Sequence, residues 1–130
     1  MLNFYSASTR IVNTRRGITE CMESALGSNT TDCDLVIIHA SLGHDFKELI
    51  EGAQLLAPGA KIVAASCCGI VGKEGVSETM KDIAIMAVRG KEFGLSWVND
   101  IYGNNSFEKA KEMAEELYRQ QPDTRFIYFL

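Results

Sequence analysis

The sequence predicts a layered α/β fold, a sandwich with a mixed, partly parallel sheet flanked by helices, and three observations carry that prediction. Apolar runs rich in β-branched residues alternate with segments whose apolar residues recur every three or four positions, the order of strands and crossover helices. Leu35-Val36-Ile37-Ile38-His39-Ala40-Ser41 and the stretch from Lys61 to Ser66 are nearly continuous in apolar residues, as strands buried on both faces of a parallel sheet are. The connection from 67 to 81 has no helical pattern, so the strand after it is expected to return antiparallel.

The elements follow in order. Leu2 to Ala7 alternates weakly and reads as a first strand ending in Ser8-Thr9-Arg10. Asn13 is the N-cap of a first helix whose Ile18, Cys21, Met22, Ala25 and Leu26 share one face, with Gly27 as its stop. After the polar loop 28–32 comes the central strand from Leu35. Asp45 and Glu48 have the spacing of a capping box, Phe46, Leu49, Ile50, Ala53 and Leu56 form the stripe of a second helix, and Pro58-Gly59 ends it. The strand from Lys61 leads into a loop with glycines at 69, 72 and 75, and Asp82 to Val88 is a further buried strand. Phe93 to Ile101 is ambiguous, with a short strand as one reading. Ser106 is expected to cap a third helix with an apolar face of Phe107, Ala110, Met113, Ala114, Leu117 and Tyr118, and Arg125 to Leu130 reads as a last strand.

At 130 residues, with 46% hydrophobic and 23% charged residues, residues 1–130 suit a single α/β domain with one core. A net charge of −4 and a pI of about 5.2 leave no basic footprint, so neither nucleic acid nor a membrane surface is an expected partner. Met1 to Tyr5 lacks the charged and apolar regions of a secretory signal, which points to a cytoplasmic location. Cys21, Cys33, Cys67 and Cys68 make no C-x-x-C pair and no zinc spacing; they read as reduced thiols, and no metal site is expected from them.

Strand-to-helix connections in such folds lie at the carboxyl edge of the sheet, where ligands bind. Ser8-Thr9-Arg10, Ser41-Leu42-Gly43-His44-Asp45 and Ser66-Cys67-Cys68-Gly69 should converge there. The candidate ligand-binding residues are Ser41, Gly43, His44, Ser66, Cys67, Cys68, Gly69, Gly75 and Ser77. Backbone amides of the glycine loop and of the second helix's start can receive a carboxylate, with helix polarity adding attraction. Hydroxyls of Ser41, Ser66 and Ser77 would fix its polar atoms; the plainer reading of each serine is a local turn or cap bond. His39, inside the apolar strand, reads as a core histidine.

Asp34-Leu35-Val36-Ile37-Ile38-His39-Ala40-Ser41-Leu42-Gly43-His44-Asp45, then Leu56-Ala57-Pro58-Gly59-Ala60-Lys61-Ile62-Val63, then Gly72-Lys73-Glu74-Gly75-Val76-Ser77-Glu78 resemble the N-terminal domain of the FIST family of intracellular signal-transduction sensors. The family's loop resembles Cys-Ser-Thr-Ala-Gly where this chain has Ser66-Cys67-Cys68-Gly69. The resemblance implies non-catalytic recognition of a small, amino-acid-like ligand. Family members run on into a second domain, so it also implies that this chain is the leading part of a longer sensory domain. A C-terminal FIST-type domain and a signalling output protein such as a kinase would be its partners.

Three alternatives stand beside this reading. Some FIST-domain proteins act as haem-based nitric oxide sensors; haem is the cofactor of that alternative and His44 its ligand. A cysteine-dependent enzyme would use Cys67 or Cys68 as thiolate with His44 as base, although the sequence has neither a nucleophile elbow nor a P-loop. A homodimer would form if the last strand offered an open edge to a second copy.

Overall fold

The computed structural model describes residues 1–72 and 75–130, which fall into two compact units, Met1–Lys91 and Glu92–Leu130. Lys73 and Glu74, part of the stretch that resembles the FIST family, lie outside the described residues.

In the first unit the β-branched run forms strand β2 (Leu35–Ala40) inside a four-stranded sheet ordered β1 (Asn3–Thr9), β6 (Ile83–Arg89), β2, β3 (Lys61–Ser66). β2 pairs in parallel with β3 and antiparallel with β6, and β6 pairs antiparallel with β1. β1, β2 and β3 therefore all run one way and β6 runs against them, the mixed sheet expected. Val36, Ile38 and Ala40 alternate onto one face with their register partners Ala87, Ile85 and Ile83. Helices α1 (Thr14–Leu26) and α2 (Phe46–Leu56) cover that face with Ile18, Cys21, Met22, Leu49 and Ala53. Each fully buried Ile, Leu or Met there contributes about 1.5–3 kcal/mol of apolar transfer. His39 is half-buried and, by the alternation of β2, faces the other side of the sheet, so it is not a member of this core.

Local chemistry sets the helix ends. Asn13 Oδ1 accepts from the Arg16 N–H at 2.9 Å, and Asp45 Oδ1 from the Glu48 N–H at 3.0 Å, as the spacing predicted. The reciprocal half of the Asp45–Glu48 capping box is replaced: the Asp45 N–H turns to Thr14 Oγ1 at 3.4 Å, tying the start of α2 to the start of α1. Ile50 lies on the solvent side of its predicted stripe.

The glycine loop holds a small antiparallel hairpin, β4 (Ile70–Gly72) and β5 (Gly75–Ser77), with Val71 opposite Val76.

The second unit contains α3 (Ser106–Gln120), none of whose residues is buried. Asn105, not Ser106, occupies its cap position, and it makes no capping bond because its amide holds the preceding turn, accepting from the Tyr102 N–H at 2.7 Å and donating to Asp100 O at 2.9 Å. Phe93 to Ile101 contains no strand, and Arg125 to Leu130 forms none either. β-propensity marks a segment that fits a ladder; it does not supply the neighbouring strand.

Candidate functional site

The register places the ends of the three co-directional strands side by side: Thr9 opposite Ile83, Ile83 opposite Ala40, and Ala40 opposite Ser66. The three loops singled out in the sequence therefore meet at one carboxyl edge. The Cys67 N–H donates to Ala40 O at 3.0 Å and the Ser41 N–H to Asp82 O at 2.9 Å, which extends the pairing just past the strand ends.

What organises this edge is Asp82, a residue the sequence reading treated only as the start of a strand. It is fully buried and accepts three hydrogen bonds: from Ser77 Oγ at 2.6 Å, Thr79 Oγ1 at 2.9 Å and the Thr79 N–H at 2.7 Å. Burial pushes its carboxyl up, but the bonds from Ser77 and Thr79, with the positive charge of Arg10, outweigh burial and hold it below its ordinary value. The sequence signal was present as two hydroxyl residues, Ser77 and Thr79, within five positions of an aspartate that precedes an apolar strand.

The candidate residues divide accordingly. Ser77 spends its hydroxyl on Asp82, and Ser41 donates its own to Thr79 O at 2.6 Å, so both make structural bonds inside the edge. Gly43 lies against the Met80 carbonyl, where a Cβ would overlap the oxygen; Gly69 lies against Ser77 O, where a Cβ would come within 2.8 Å. Gly72 packs on the Ser8 hydroxyl with the same intolerance, seating the hairpin on the end of β1, and Gly75 has φ 93°, the left-handed region that glycine favours. These glycines bring backbone together. Ser66 and Cys68 face solvent, as does Arg10, whose Nη2 lies 3.5 Å from Val76 O.

His44 is turned inward. It is 6% exposed, its Nδ1 is hydrogen-bonded to Thr14 Oγ1 at 3.1 Å, and its Nε2 is closed off from solvent with no hydrogen-bond partner. Iron bonded to Nε2 would need space that a water molecule does not have there, so the residues present do not fit haem at His44. The Cys67–His44 pair of the catalytic alternative is not formed. Burial, chiefly, pushes the Cys67 thiol up, against the Gly69 N–H that lowers it and with Asp82 and Cys68 raising it further. That is the opposite of an activated thiolate. Among the described residues no group of three or more His, Cys, Asp or Glu is arranged to hold a metal ion, and no helix is long and apolar enough to cross a membrane.

Ser8, Thr9, Arg10, Ile70, Gly75 and Ser77 line a cavity of about 10 Å³ between the hairpin and the strand end, room for about one water. Anything larger than a water would have to lie on the open face of this edge.

No protein family matches the chain by sequence, and no curated protein does. Among solved structures, the FtsZ W319Y mutant of M. jannaschii is similar with a TM-score of 0.43 at 9% identity, over 73% of this chain and 30% of that one. CetZ2 from Haloferax volcanii, in its GTPγS-bound protofilament, gives 0.38 at 12% identity, over 92% of this chain and 34% of that one. The chain spans about a third of the length of each.

Proposed function

We propose that this chain is a sensory module of the FIST type that takes a small, amino-acid-like carboxylate on the carboxyl edge of its sheet and passes occupancy to a signalling partner. The observation that carries the reading is the convergence of the ends of β1, β2 and β3 with the glycine hairpin at one edge, hydrogen-bonded around Asp82. On this reading the contacts differ from those the sequence suggested. Ser41, Ser77 and His44 support the edge from within, while the solvent-facing Arg10 guanidinium receives the carboxylate, and Ser66, Cys68 and the loop backbone complete recognition.

A thermal-shift screen of the chain against amino acids and small carboxylates tests this. A true ligand at a hundred times its Kd stabilises by about 2.7 kcal/mol. Arg10→Ala should leave the ligand-free Tm within about 2 °C and abolish most of the ligand-induced rise. No response from any member of the panel, or an undiminished response in Arg10→Ala, overturns the proposal.

A further inference from the structure

The second unit carries an apolar surface that the reading above does not use. Phe107, Ala110, Ala114 and Tyr118, spaced by three, four and four residues, form one stripe along α3; Phe107 is 76% exposed and Tyr118 66%. The stripe borders a groove of about 750 Å³ between α3 and the chain at Thr124–Ile127, whose floor includes Ala114, Leu117, Phe126 and Ile127. Exposed apolar surface on this scale marks an interaction site.

We propose that this face pairs with the same face of a second copy of the chain, the two α3 helices running antiparallel. Three features select that occupant. The middle of the stripe is alanine, which lets two helices approach closely, and its ends are aromatic, so antiparallel pairing stacks Phe107 on Tyr118 of the second copy at both ends. Lys111 and Glu115 flank the stripe on one side, 59% and 64% exposed and linked by a long 3.9 Å contact within the helix. Antiparallel pairing centred between them sets Lys111 against Glu115 of the second copy and Glu115 against its Lys111. In a parallel pair this flank of the two helices lies on opposite sides of the seam and neither contact forms, so the charge pairing belongs to the antiparallel register. The interface is isologous, as a two-fold dimer requires. It replaces the strand-edge route to a dimer, which has no basis where residues 125–130 form no strand.

Sedimentation equilibrium of the full chain from about 5 to about 200 µM tests it, since pairing through one short helix face buries less than the roughly 1,200 Å² of a standard stable interface and gives a weak, reversible dimer. The wild type should show a monomer–dimer equilibrium. Lys111→Glu and Glu115→Lys should each weaken it at least about tenfold, because each places like charges across the two-fold axis. An equimolar mixture of the two variants should recover the wild-type association as a heterodimer, since every cross-pair is then complementary. Phe107→Ser, removed from the charges, should weaken association with unchanged circular dichroism. A wild type that stays monomeric throughout, single variants that associate as the wild type does, or a mixture that stays monomeric overturns the proposal. Failure of the ligand screen at the sheet edge leaves these readouts untouched.

Discussion

Replacing Asp82 with alanine removes the acceptor of three donors at once. Bonds to a charged acceptor are worth about 1.5–3 kcal/mol each. Here they share one carboxylate, so their losses do not add in full. The Ser77 hydroxyl is left buried, and the Thr79 amide, 2.7 Å from Asp82 Oδ2, loses a partner it cannot rotate to replace. The expected destabilisation is about 3–5 kcal/mol, a large share of a typical domain's 5–15 kcal/mol. Asp82→Asn keeps one acceptor oxygen and lets hydroxyls reorient, so about 1–2 kcal/mol is expected. Urea unfolding followed by circular dichroism reads both. The pH dependence gives a second check. The folded-state carboxyl lies below its ordinary 3.8, so its contribution is fully present above that value and is lost as pH falls through the lower folded value. The gap between wild type and Asp82→Asn should therefore narrow on acidification below pH 3.8. Asp82→Ala within 0.5 kcal/mol of wild type, or a gap that is unchanged down to about pH 2, would refute the assignment of Asp82 as the organiser of the edge.

Other outcomes follow from the same geometry. Gly43→Ala should destabilise by about 1–3 kcal/mol, because its Cβ overlaps the Met80 backbone carbonyl and the loop must shift; calorimetry reads the fall in Tm. Arg89→Ala should cost about 2–3 kcal/mol in denaturant unfolding, since Arg89 donates to Asp32 O at 2.7 Å, Asn29 O at 2.9 Å and Leu26 O at 3.3 Å, and its guanidinium lies 4.8 Å from the Tyr5 ring centroid. A thiol reagent at pH 8 should label exposed Cys68 first and Cys21 only on unfolding, because burial, with Glu20 nearby, pushes the Cys21 thiol up to about 12; mass spectrometry of timed aliquots resolves the order.

The parts of the fold that were legible in the sequence are those fixed by local chemistry or by unbroken patterning. Asn13 and Asp45 cap their helices through bonds three residues away, and Gly27 ends α1 with φ 68°; each depends only on near neighbours. The run Leu35 to Ala40 could bury both faces only inside a sheet, so its central place followed. Residues 125–130 show the opposite case, since strand formation needs a partner strand that propensity cannot specify. At the site, the meeting of three loops was legible because it follows from strand direction. Which way Ser41, Ser77 and His44 point was not. Their partners Thr79 O, Asp82 and Thr14 lie on other loops and helices, 38, 5 and 30 positions away, and two of the three pairings exist only once the sheet is assembled.

Recognition of a small carboxylate at the carboxyl edge can be read residue by residue by titrating the isotope-labelled chain with the panel of amino acids and small carboxylates and following backbone amide shifts. Saturable shifts should cluster at Thr9, Arg10, Leu42, Gly43 and Cys67 to Gly69, with little change along α3. Shifts confined to α3 and Thr124–Ile127, or no saturable shift with any compound, would contradict it.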